Sequence, residues 1–133
     1  MKKKEKLTSS QEDYLETILI LKRKKGTVRS ANIAEALNFS RPSVCNAVSL
    51  LAKGGYLWMD EGKEIRLTPK GLRAAEQVYE RRMFFKKQLL KAGVEEEQAG
   101  ADACRLEHAI SAESFEKLKR SLTGAVVERV ASD

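Results

Sequence analysis

The stretch Ser30-Ala-Asn-Ile-Ala-Glu-Ala-Leu37-Asn38-Phe39-Ser40-Arg-Pro-Ser-Val44-Cys-Asn-Ala-Val48-Ser-Leu-Leu51-Ala-Lys-Gly54 reads as two short helices joined by a tight turn. Ile33, Ala34 and Leu37 form one apolar face, and Val44, Val48 and Leu51 repeat the helical spacing after the turn. Asn38-Phe39 makes the turn, Ser40 caps the following helix, and Pro42 sits in its first turn, where the amide it lacks would be unpaired anyway. Gly54-Gly55 stops that helix. Upstream, a helix is predicted from about Ser10 to Lys24, with Tyr14, Ile18 and Leu21 at helical spacing and Leu15 and Leu19 widening the stripe. Ser10 is expected to cap it, with Asp13 three residues later in the manner of a capping box, and Gly26 to end it.

Downstream the rhythm changes. Tyr56-Leu57-Trp58-Met59 and Ile65-Arg66-Leu67 flank Asp60-Glu61-Gly62-Lys63, the pattern of a two-stranded hairpin around a Gly-containing turn. Thr68 and Pro69 then open a long helix towards Ala92, ended by Gly93. Two further helices are predicted, about Glu95–His108 and Ser111–Leu122, beyond which the chain is expected to fray. The fold class is therefore mainly α with a small β-hairpin wing. It reads as a winged helix-turn-helix over 1–71 followed by a helical dimerisation domain over 72–133.

Charge divides along the same line. Residues 1–71 hold 14 Lys/Arg against 8 Asp/Glu, whereas 72–133 hold 11 against 11. A basic module joined to a neutral one suits a polyanion partner for the first half. No run is long and apolar enough to cross a bilayer. The basic start, Met1 to Lys6, leads into polar Thr8-Ser9-Ser10-Gln11 where a signal peptide needs apolar residues, so a cytoplasmic protein is expected. Cys45 and Cys104 are too few for a disulfide framework, and a CxxC zinc motif is absent.

The polar face of the Ser40 helix is the expected DNA reader. Ser40, Arg41, Pro42, Ser43, Asn46 and Lys53 lie off its apolar stripe, near a helix start whose dipole favours phosphate. Arg41 suits either a guanine or a phosphate, and Arg29, Lys63 and Arg66 suit the flanking backbone. Small polar residues after a turn also cap and solvate helices without any partner. Their combination with three helices, a basic hairpin and localised charge favours duplex DNA.

A second constellation carries metal-ligand chemistry. Asp13 and Glu16 lie at i, i+3 on one helix face, and Cys104, Glu107 and His108 at i, i+3, i+4 on another. Carboxylate, thiolate and imidazole donors suit iron, manganese, cobalt or zinc rather than calcium. By spacing alone each residue has another reading: Asp13 as a cap, Glu16 as a solvated charge, Cys104 as a small core residue.

Ser10-Gln-Glu-Asp-Tyr-Leu-Glu-Thr-Ile18, Ala31-Asn-Ile-Ala-Glu-Ala-Leu37, Ser40-Arg-Pro-Ser-Val44, Leu67-Thr-Pro-Lys-Gly71 and Asp102-Ala-Cys-Arg-Leu-Glu-His108 occur in one order along the chain. Together they resemble the diphtheria-toxin-repressor family, which contains iron-dependent repressors and manganese transport regulators. The resemblance covers about Ser10 to Leu122. It implies a homodimer whose metal, one divalent ion per chain and Mn(II) or Fe(II) foremost, binds between the DNA-binding and dimerisation modules. Asp13 and Glu16 match manganese-type ligand positions, Cys104 matches the iron-type cysteine, and Glu107 and His108 match ligands of both. Ser40, Pro42, Ser43 and Asn46 match recognition-helix positions near DNA.

Two departures stand out. Arg82 occupies a usual histidine position, and arginine does not ligate metals. Arg82, Lys86 and Gly100 also replace the ligands of the iron-type ancillary site, so a second metal is not expected. By its length the chain is expected to be nearer the manganese type than the longer iron-type proteins, which carry a further SH3-like domain. One hypothesis is that Arg82 pairs with Asp13 or Glu16 and stands in for part of the metal's charge.

The leading expectation is a metal-responsive repressor of metal-homeostasis genes, not an enzyme. A winged-helix regulator that no longer requires metal is the alternative. For a metallohydrolase, the sequence shows no evident separate base or substrate pocket, and five protein ligands would leave little room for substrate; a purely protein-binding winged helix would show no salt-sensitive affinity for duplex DNA.

Overall fold

The structure, a computed structural model, describes residues 6–132, with side chains over 6–122. Its elements run α1 (Ser9–Lys25), α2 (Ser30–Leu37), α3 (Arg41–Lys53), β1 (Leu57–Met59), β2 (Ile65–Leu67), α4 (Pro69–Lys91), α5 (Glu96–Ala109) and α6 (Ala112–Ser132). They form two compact units, Met1–Tyr79 and Glu80–Asp133, which part inside α4; the expected boundary after Gly71 lies near the start of that helix.

In the first unit, Leu15, Ile18, Val28, Ile33, Val44, Leu51 and Ile65 are fully buried in one core. Each such side chain contributes roughly 1.5–3 kcal/mol by leaving water. The stripes on α1, α2 and α3 meet there, as their spacing requires. α1 starts one turn-position earlier than expected, and its cap is Thr8, not Ser10. Thr8 Oγ1 accepts from Gln11 N at 3.1 Å while Gln11 Oε1 accepts from Thr8 N at 3.0 Å, closing a capping box. Asp13 is thereby released from the capping role that spacing offered it. Between α2 and α3, Asn38 turns the chain at φ 58, and Ser40 caps α3 by accepting from Ser43 N at 3.3 Å.

The hairpin pairs Leu57 with Leu67, Trp58 with Arg66 and Met59 with Ile65, antiparallel. Ile65 N also donates to Val28 O at 2.7 Å, tying the second strand to the segment before α2. The positive φ of the turn falls on Lys63 (67°), not on Gly62. Asp60 decides this, because its Oδ1 accepts from Glu64 N at 2.9 Å and its carbonyl accepts from Lys63 N at 2.9 Å.

In the second unit, Phe85, Ala103 and Phe115 are buried, with Phe84 and Ile110 packed against them. The rings of Phe84 and Phe115 meet edge-on at 5.4 Å. α4 ends in a glycine motif: Gly93 has φ 94, Gly93 N donates to Leu90 O and Val94 N to Leu89 O. α5 buries Ala99, Ala103 and Glu107, one residue per turn. α6 continues beyond the expected end at Leu122 to Ser132, since no proline interrupts the sequence there.

Candidate metal centre and nucleic-acid interface

The helix expected to read DNA, α3, turns Val44, Val48 and Leu51 inward, and Arg41, Pro42, Ser43, Asn46 and Lys53 are all exposed. At its start Ser40 Oγ donates to Ser43 Oγ at 2.9 Å, so the two expected base-contacting hydroxyls orient each other. Lys70 closes the other end, donating to Gly54 O at 2.9 Å over the Tyr56 ring. A cation at a helix C-terminus is favourable.

Arg29 and Lys63 are exposed, and the Arg29 guanidinium lies beside Gly62 at the hairpin turn. Arg66 is engaged differently. It pairs with Asp60 Oδ2 at 3.0 Å and Glu64 Oε1 at 3.1 Å, and lies 5.9 Å from the Trp58 ring centre. Much of its charge is therefore balanced within the wing. Asp60 is held below the usual carboxylate range by the Glu64 main-chain N–H and by Arg66.

The metal-ligand types gather near the end of α5. One donor atom each from Cys104, Glu107 and His108 lies within 4.8 Å of the others. Glu107 is fully buried, the His108 side chain is 13% exposed, and His108 Nε2 stands 4.0 Å from Glu107 Oε1. A thiol, a carboxylate and an imidazole so placed fit a transition metal, whose bonds of about 2.0–2.3 Å put ligand atoms about 3–4.5 Å apart, the longest for opposite ones. In the first unit, Asp13 is half-buried and Glu16 buried on α1. The i, i+3, i+4 spacing thus brings the α5 donors together. Neither Cys45 nor Cys104 is in a disulfide.

At the positions of the iron-type ancillary site, Lys86 pairs with Glu96 at 3.6 Å and its stem lies over Gly100. Arg82 is half-buried on α4. The residue that sequence reasoning missed is Arg81. It is 8% exposed, and its Nε donates to the Glu107 main-chain carbonyl at 3.0 Å. Its signal was present: Val78, Arg81 and Phe85 share one buried stripe of α4, and a charge within such a stripe demands a partner.

Two family models match the chain. The iron-dependent repressor N-terminal DNA-binding domain covers residues 6–64, and the iron-dependent repressor metal-binding and dimerisation domain covers residues 68–125. The transcriptional regulator MntR of Lysinibacillus sphaericus is 35% identical over 111 residues, spanning 84% of this chain and 80% of its own. The chain belongs to the diphtheria-toxin-repressor family.

Solved family structures agree. The T. acidophilum IdeR structure aligns with a TM-score of 0.71 at 28% identity, over 91% of this chain and 56% of that one. The manganese regulator SloR aligns with a TM-score of 0.74 at 26% identity, over 85% and 53%. This diphtheria-toxin-repressor family member is accordingly a metal-dependent transcriptional regulator, with a DNA-binding module followed by a metal-binding and dimerisation module. Among the described residues no helix is long and apolar enough to cross a membrane.

Proposed function

We propose that this regulator represses metal-homeostasis genes in the cytoplasm, sensing Mn(II) or Fe(II) at one site per chain. Cys104, Glu107 and His108 supply three ligands, and Asp13 and Glu16 of the DNA-binding module complete the set. The single observation that carries this reading is the meeting of thiol, carboxylate and imidazole within 4.8 Å near the end of α5. When bound, the metal would supply the charge that links the modules and favours the DNA-binding form. Manganese is supported by the relatives, and the thiolate also suits iron.

The DNA-binding module spans 1–71 and uses Ser40, Arg41, Pro42, Ser43, Asn46 and Lys53 at the major groove. Arg29, Lys63 and Arg66 hold the backbone. The helical module, 72–133, forms the homodimer, and exposed Met83, Leu90, Leu106 and Leu118 give it apolar surface to bury against a second copy. Two recognition helices related by two-fold symmetry call for a pseudo-palindromic operator.

The test is a titration of chelator-treated protein with Mn(II), Fe(II), Co(II) and Zn(II), beside His108→Ala. About one ion per chain, lost in the variant, is the expected result. Failure of the folded wild type to bind any of the four refutes the sensor. It would favour the metal-independent regulator, for which Arg82 at a usual histidine position is the supporting observation.

A further inference from the structure

The last turn of an α-helix is its weakest part, because its final four carbonyls have no partner within the helix. In α5 that turn carries Glu107 and His108, two of the three donors gathered there. Ile110, the residue that ends the helix, is extended (φ −113, ψ 141) rather than left-handed, so the helix does not close in a glycine motif like that of α4. Instead a side chain from α4 reaches the main-chain carbonyl of the buried Glu107 itself: the buried Arg81, through Nε, at 3.0 Å.

We propose that Arg81 is a positioning residue for the metal centre. This inference rests on the metal-centre reading above. The guanidinium fixes the backbone of Glu107 through its main-chain carbonyl, and its charge complements the negative end of α5. Holding one peptide of the final turn holds the spacing of Cys104, Glu107 and His108 on either side of it. Arginine suits the task better than lysine, because its planar fork is pre-oriented while an ammonium is a mobile point charge. Groups that orient metal ligands in this way typically change metal affinity about 10–100-fold when removed.

The experiment uses the full chain and two variants, Arg81→Gln and Arg81→Lys, each checked for wild-type helicity by circular dichroism. His108 is the only histidine, so its ring gives unique signals in a 1H–15N spectrum. In chelator-treated protein those signals are expected to move or broaden in Arg81→Gln, and the Co(II) dissociation constant to rise about ten-fold or more. Arg81→Lys should fall between. Superimposable His108 signals and an unchanged Co(II) affinity in Arg81→Gln would overturn the proposal, leaving Arg81 a space-filling cation. If the wild type takes up none of Co(II), Mn(II), Fe(II) and Zn(II), the metal reading falls, and the His108 signals still decide whether Arg81 orders this turn. Should Arg81→Gln not fold, Arg81→Lys decides: intermediate values support the assignment, and wild-type values in both readouts overturn it.

Discussion

Gly71→Ala should destabilise the DNA-binding module, although helix propensity argues the opposite. Gly71 is the third residue of α4, and its φ lies outside the left-handed region, so alanine would ordinarily gain about 0.8–1.0 kcal/mol there. The packing reverses that sign. A methyl group at Gly71 would overlap the carbonyl oxygen of Tyr56, and would lie 2.8 Å from its carbon and 3.3 Å from Leu67 Cδ2. The carbonyl cannot simply turn away, because it accepts from Thr68 N at 3.1 Å while Tyr56 N donates to Leu51 O at 3.0 Å. Thr68 is pinned as well, its Oγ1 donating to Gly55 O at 2.6 Å and accepting from Gly71 N at 3.0 Å. Relief requires the first turn of α4 to move, at the cost of roughly two hydrogen bonds of about 1 kcal/mol each, plus about 1–3 kcal/mol of overpacking. Net of the propensity gain, a loss of about 2–4 kcal/mol is expected. Urea unfolding followed by circular dichroism, at one fixed chain concentration because dimers are concentration-dependent, measures it. An unchanged or raised midpoint would refute the reasoning and show that α4 relaxes freely at Tyr56.

Lys63→Gly should separate stability from DNA affinity. Relieving a left-handed lysine gains on the order of 1 kcal/mol, while loss of one phosphate contact lowers the salt slope of operator binding by about 0.9. An unchanged slope would remove Lys63 from the interface. Asp60→Asn should show a pH-dependent defect. The folded carboxyl titrates below its unfolded value, held there by the Glu64 main-chain N–H and by Arg66, so its stabilisation is present above about pH 3.9 and fades as pH falls through the lower, folded value. The variant should melt below wild type at neutral pH and converge on it in acid, and a gap independent of pH would count against this. His108→Ala should abolish stoichiometric metal uptake in the titration above while leaving the fold intact.

The helices, the hairpin and the order of the two modules were legible in the residues, because helical and strand periodicities are local properties. Ser40, Pro42, Gly26, Gly54 and Gly93 mark element ends by chemistry that acts over a few residues. The donor types at i, i+3, i+4 in α5 were legible for the same reason: one helix turn brings them together whatever surrounds it. Family membership followed from motifs in order, and the comparisons establish it.

What only the tertiary structure decided depends on partners distant in sequence, or on competition between equally good local choices. Thr8 and Ser10 are both acceptable caps, and Gln11 chose between them by bonding back to Thr8. Gly62 is the freer residue, yet the positive φ went to Lys63 because the Asp60 carboxylate claimed the Glu64 amide. Charge alone suggested Arg66 for a phosphate, and only the folded hairpin shows that it also pairs with Asp60 and Glu64 beside Trp58. Arg81 meets Glu107 across 26 positions of sequence, and Gly71 is required by a carbonyl fifteen residues earlier in the chain. No periodicity reports such pairings, because they exist only once two elements have packed and each buried polar group has had to find a partner.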